Sequence, residues 1–147
     1  MKALVQRSLE SSVKVDNKIV GKIDKGLVLL VGFTEGDNIK DIEYIAKKVV
    51  NLRIFDDEDG VMNKSLLDSG GSILSISQFT LYADSKKGNR PSYIKALKSN
   101  EALPLYEEFN NKLKEYNVNV ETGIFGADMK VNITNDGPIT IILESRE

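Results

Sequence analysis

Polar and apolar residues alternate through the first two dozen positions of the chain, and that period of two predicts strands. Lys2–Leu9 (KALVQRSL) carries β-compatible apolar positions, and Ser11–Asp24 (SSVKVDNKIVGKID) reads as two short strands around a turn at Asp16-Asn17. Gly26–Phe33 (GLVLLVGF) is apolar on both faces, the pattern of a central strand covered from two sides. The period then changes. Ile39, Ile42, Ile45, Ala46, Val49 and Val50 fall at helical spacing with Asp37 or Asn38 placed to cap, so a helix is predicted from Ile39 to Asn51. Leu52–Phe55 reads as a short strand, and a longer one is expected through Ser72–Leu81 after a glycine pair. A second helix is predicted over Ala102–Tyr116, with Leu105, Tyr106, Phe109, Leu113 and Tyr116 as its core stripe and Pro104 tolerable only in its first turn. Alternation returns in Val118–Gly123, Asp128–Thr134 and Ile139–Glu144. The elements add up to an α/β protein: a single compact domain over residues 1–147, strand-rich, with a mixed or barrel-like sheet core and two main helices.

Composition narrows the chemistry more than the fold. The chain contains no His and no Cys, which excludes a Ser-His-Asp triad, a Cys-His pair and any His- or Cys-built zinc site. A catalyst made from it must work with carboxylates, hydroxyls, lysines, backbone dipoles or a group that the substrate brings. The lack of cysteine also makes a reducing compartment, the cytoplasm, the expected location. The start, MKALVQRS, has no secretory h-region, and no apolar run approaches the ~20 residues of a membrane span. A net charge of −2 argues against broad sequence-independent nucleic-acid binding, while leaving contact with one short piece of nucleic acid open. The acidic loop Asp56–Gly60 reads as a solvated turn. Placing Gly60 at the sixth position of a calcium loop puts Phe55 first, where a carboxylate is required.

Three stretches are unusually polar or specific. Ser75, Ser77 and Thr80 are small hydroxyls on an otherwise apolar strand; they either bond neighbouring backbone or mark a strand end whose bare N–H groups hold a developing oxyanion. Ser85–Lys98 carries Lys86, Lys87, Arg90, Lys95 and Lys98 with Tyr93 among them and no acid, either a solvated face or a local phosphate contact. Asn135–Thr140 (NDGPIT) reads as a hairpin turn joining Asp128–Thr134 to Ile139–Glu144. With a cis Gly137-Pro138 bond, it would also present two carbonyls to an ammonium group.

Ser77–Leu81 (SQFTL) together with NDGPIT resembles the paired signatures of the D-aminoacyl-tRNA deacylases, also known as D-tyrosyl-tRNA deacylases. The resemblance extends through VQRS (Val5–Ser8), RIFDDEDGVMN (Arg53–Asn63), KGNRPSY (Lys87–Tyr93) and Thr122–Thr140, in family order. It implies a homodimer that hydrolyses the ester joining a D-amino acid, or glycine, to the terminal ribose of tRNA. No cofactor, metal or further protein partner is implied. Carried onto this chain, it places catalysis at Ser77, Gln78, Phe79 and Thr80, with backbone N–H groups near Gln78 and Phe79 facing the scissile carbonyl. The Gly137 and Pro138 carbonyls would reach across the dimer to the substrate ammonium, with Arg7 bracing that turn, and Phe125 and Met129 would hold the terminal adenine. Two other readings stand beside it: a sister enzyme editing L-alanyl-tRNA, and a nucleic-acid-binding module without catalysis.

Overall fold

The computed structural model describes Met1 to Arg146. The first strand, β1 (Lys2–Ser8), is followed by a hairpin of β2 (Ser11–Val15) and β3 (Lys18–Ile23). Its two-residue turn places Asp16 and Asn17 at φ 49° and 65°, the left-handed pair that suits the twist of the flanking strands. Strand β4 (Gly26–Gly32) leads to helix α1 (Ile39–Asn51), whose bounds match the sequence expectation. A small ribbon of β5 (Phe55–Asp56) and β6 (Met62–Lys64) precedes the single-turn helix α2 (Leu66–Ser69) and strand β7 (Ser72–Ser77). A 3₁₀ turn (Phe79–Tyr82), helix α3 (Ser99–Lys114), and strands β8 (Val120–Thr122), β9 (Lys130–Asn132) and β10 (Asn135–Glu144) complete the chain.

A five-stranded mixed sheet in the order β10-β1-β4-β7-β8 is the centre of the molecule. Its first three strands run antiparallel, and β4-β7 and β7-β8 pair in parallel. As the doubly apolar run implied, β4 is central. One face packs Ala3, Val5, Leu27, Leu29 and Ile73 against α1 and α3. The other face packs Val28, Leu74 and Ile76 against Val13 and Ile23 of the small sheet β3-β2-β9, closing a barrel-like second core.

Four sequence expectations are corrected. The strand predicted through Ser72–Leu81 stops at Ser77, because its partner β4 ends at Gly32 and the β-prone residues Phe79–Tyr82 find no ladder to join. Leu52–Phe55 is not a strand: pairing starts only at Phe55, and the Ile54 carbonyl accepts instead from Arg7 Nη1 at 2.9 Å. Helix α3 begins at Ser99, before the predicted Ala102, so Pro104 lies beyond its first turn, and Tyr116 falls outside it and is partly exposed. Residues 135–138 do not form a hairpin with β9. That strand pairs with β2 in the small sheet, whereas Asn135–Glu144 is one strand lying along β1.

Candidate active site

The register of β10 on β1 jumps from Gln6↔Thr140 to Ser8↔Asn135, so the four residues Asp136–Ile139 stand opposite Arg7 alone. The excess chain loops out as a bulge, with Gly137 and Pro138 exposed and the bond between them cis. Gly137 sits at φ +121°, where an L side chain is strained. Asn135 pins the base of the bulge: its Nδ2 donates to Thr140 Oγ1 at 3.0 Å and its Oδ1 accepts from the Ile139 amide at 3.3 Å.

Arg7 is 9% exposed and faces this bulge from the core side of β1. Its Nη1 donates to Ile54 O and lies 3.5 Å from Asp56 Oδ1, while its Nε lies 3.1 Å from Asp136 Oδ2. Arg7 therefore meets the carboxylate next to Gly137 as an ion pair without hydrogen-bond geometry, and donates to neither the Gly137 nor the Pro138 carbonyl among the described residues. Two carboxylates partly offset the desolvation of the buried guanidinium, whose Nε nonetheless finds no hydrogen-bond acceptor.

The other predicted residues gather elsewhere. A pocket of about 520 Å³ is lined by Ser77, Gln78 and Phe79 on one wall and Phe125 and Met129 on another. Val31, Gly32 and Phe33 from the end of β4 and Lys98, Ser99 and Ala102 from the start of α3 close it. Strand β7 delivers its polar C-terminus here because Ser77 is its last paired residue, opposite Val31. The Gln78 amide donates to Val31 O at 2.7 Å, which corrects the expectation that it faces a substrate: that donor is spent on the ladder. The Phe79 and Thr80 amides, at the open start of the 3₁₀ turn, have no hydrogen-bond partner among the described residues. The Gln78 side chain donates through Nε2 to Thr80 Oγ1, so that hydroxyl serves as an acceptor with no base beside it. Thr80 itself lies next to the pocket without lining it.

Behind the wall, Tyr106 OH donates to the Ser75 carbonyl at 2.7 Å, and its ring packs 5.7 Å from that of Phe125. Burial pushes the Tyr106 phenol up, against the pull of its contacts with Ser75 and Asn110, so it stays protonated and keeps donating. Sequence reasoning assigned Tyr106 to the core, which is correct, but could not see that this core residue joins β7 to the Phe125 wall. Arg7, Gly137 and Pro138 are not brought to the pocket within one chain.

The chain matches the family described as D-Tyr-tRNA(Tyr) deacylase over residues 4–144. It is 54% identical over 147 residues to a D-aminoacyl-tRNA deacylase of Thermus aquaticus, covering 100% of this chain and 97% of that protein. It is 59% identical over 145 residues to one of Clostridium botulinum, covering 99% of this chain and 97% of the relative. A solved structure named c-Myc DNA Unwinding Element Binding Protein superposes with a TM-score of 0.94 at 39% identity, all of both chains being covered. A second, of a probable eukaryotic D-amino acid tRNA deacylase, has a TM-score of 0.83 at 17% identity over 97% of this chain and 98% of that one, a likeness of fold. With a family match over nearly the whole sequence and relatives above half identity at full length, the chain belongs to the D-Tyr-tRNA(Tyr) deacylase family.

Proposed function

We propose that the protein hydrolyses the ester of D-aminoacyl-tRNA, and of tRNA mischarged with glycine, releasing the amino acid and free tRNA. One observation carries the reading: in a chain of this family, two unspent amides lie beside a pocket that the apolar pair Phe125 and Met129 also lines. The terminal adenine stacks against that pair. The Phe79 and Thr80 amides stabilise the oxyanion that forms as a water adds to the ester carbonyl. One such donor is worth about 10²–10³ in rate. The carbonyl carbon–oxygen bond to the ribose then breaks, and the proton lost by the water passes through the ribose 2′-OH to the leaving 3′-oxygen. Thr80 Oγ, hydrogen-bonded and without a base, is not the nucleophile.

Chirality is read by a second copy of the chain. The bulge at Gly137-Pro138 enters the partner's pocket, and its two carbonyls accept hydrogen bonds from the substrate ammonium. A D side chain points away from the bulge, glycine has none, and an L side chain collides with it. Supporting the dimer, β10 is an edge strand, and Ile142, in register with Leu4 and through it with Leu30, is 64% exposed at the margin of the sheet face whose centre packs on the small sheet. No helix among the described residues is long and apolar enough to cross a membrane, and the charged tRNA the enzyme needs is met in the cytoplasm.

Matched D- and L-tyrosyl-tRNA, incubated with the protein and followed for ester loss, test the reading. Rapid loss of the D-ester with the L-ester spared is expected. Equal rates, or none on either, overturn it; selective loss of L-alanine from its tRNA would place the chain with the sister editing enzymes.

A further inference from the structure

At the mouth of the pocket, the protein displays an aromatic and aliphatic shelf whose side chains have no part in the deacylation step. Phe79 is 57% exposed, Tyr93 45% and Ile94 88%, and the two rings meet edge to face at 5.3 Å. Phe79 and Tyr93 also line the pocket, so the shelf continues its mouth. The segment bearing it is tied down at both ends. Asp84 and Ser92 exchange two backbone hydrogen bonds of 2.8 Å, Thr34 Oγ1 donates to Lys95 O at 2.6 Å, and the Leu97 amide donates to Phe33 O at 3.0 Å. Apolar surface held rigidly in water in this way is a cost unless something covers it.

Charge identifies what does. Lys86, Lys87 and Arg90 project from the same segment, all exposed and none in an ion pair among the described residues. The nearest acid, Asp84, is occupied by the Lys86 amide at 3.0 Å and by Lys95 Nζ at 3.5 Å. Three free cations beside exposed rings, on a chain of net charge −2, make a small anion-attracting island. Rings take the faces of unpaired bases while cations take the phosphates between them; in a duplex those base faces are hidden in the stack.

We propose that Phe79, Tyr93 and Ile94, with Lys86, Lys87 and Arg90, form a second nucleotide subsite, which binds the unpaired nucleotides that precede the terminal adenosine at the 3′ end of tRNA. The identity of the strand rests on the deacylase reading above. Its affinity rests on the shelf alone, and the two are separable.

The affinity of a 5′-fluorescein-labelled ACCA ribotetranucleotide, read by anisotropy and compared with displacement by adenosine monophosphate, tests the subsite in the full-length protein. ACCA should bind at least about tenfold tighter than the mononucleotide, the scale of stacking one further base. Y93A/I94S should abolish that advantage, and K86A/K87A/R90A should flatten its salt dependence. ACCA binding no tighter than the mononucleotide, an unchanged advantage in Y93A/I94S, or equal competition by a blunt RNA duplex would overturn the proposal. In turnover, Y93A/I94S should lower kcat/KM on D-tyrosyl-tRNA more than on the D-tyrosyl ester of adenosine alone; an equal fall on both would mean that Tyr93 only shapes the pocket. If the wild-type protein hydrolyses neither ester, the deacylase reading fails while the oligonucleotide affinities still decide the shelf.

Discussion

Gly137 is the residue at which backbone conformation and proposed chemistry coincide. At φ +121° a side chain costs roughly 1–3 kcal/mol in strain, and a Cβ there would meet Ile139 Cγ1 at 2.8 Å and the Ile139 amide nitrogen at 3.0 Å. Gly137→Val must therefore move the bulge or displace Ile139, which is partly buried against the main core. Because the residue itself is exposed and the strand on either side keeps its pairing to β1, the fold should survive with a melting temperature lowered by a few degrees. Turnover of D-tyrosyl-tRNA should fall by about a hundredfold, the cost of an ångström-scale misplacement at a reacting group. Circular dichroism and a deacylation assay on the same preparation check both halves, and unchanged turnover would reduce the bulge to a connector. Neighbouring residues differ in how far sequence revealed them. Only family likeness marks Arg7; the Asp136 carboxylate that it faces, from near the opposite end of the chain, needed the register of β10 on β1. Gln78 shows the converse: the motif marks it, but only the parallel ladder reveals that its amide is spent on Val31.

Among the elements, α1 was legible to the residue because local signals agree there: helical spacing of the apolar side, a capping Asn38, and Asp41 at the third position to complete the box. The Asn38 side chain accepts from the Lys40 amide and Asp41 Oδ2 accepts from the Asn38 amide, both at 2.9 Å. The end of β7 was not legible, because Phe79–Tyr82 has strand-forming residues and only the end of β4 denies them a partner. The extra turn at the start of α3 was missed for a related reason: the side chain of its N-cap, Lys98, makes no capping bond and gives no start signal. The cap of α1 makes stability depend on pH. Burial raises the Asp41 carboxyl, but the Ser145 hydroxyl, the Asn38 amide, the terminal ammonium and Arg146 outweigh it and hold the group below its ordinary range. A carboxylate so depressed stabilises the fold fully above its unfolded pKa of about 3.9, and that contribution drains away as pH falls through the lower folded value. Asp41→Asn should thus lower stability at neutral pH by about 1 kcal/mol, one charged capping bond, and make the urea midpoint less steep in pH below about 4. Parallel wild-type and variant curves down to acid pH would show that Asp41 carries no part of the acid sensitivity.

At the scale of the whole molecule, the pocket and the bulge form two half-sites. The pocket lies where β4, β7 and α3 converge, the bulge lies on the edge strand β10 opposite Arg7, and no residue of Asp136–Ile139 lines the pocket of its own chain. If a working centre needs both, only a second copy can supply the missing half, and a two-fold dimer then carries two composite centres, each made of one chain's pocket and the other's bulge. That arrangement makes a prediction that a self-contained chain cannot mimic. Gly137→Val spoils every bulge it supplies but leaves its pocket intact; Met129→Glu puts a charge into the pocket lining but leaves its bulge intact. Each variant alone should form a dimer of about twice 16.3 kDa by light scattering, with little turnover. Co-expressed in equal amounts with distinct tags, half of the dimers are mixed, and each mixed dimer pairs the intact pocket of one chain with the intact bulge of the other. Turnover should therefore recover to about a quarter of wild type in the mixture, and to about half in dimers purified through both tags. Ile142→Glu, at the exposed apolar position of the edge strand β10, should shift the protein toward the monomer and remove turnover together. Recovery could not occur if each bulge served its own pocket, since every chain in the mixture would then remain defective.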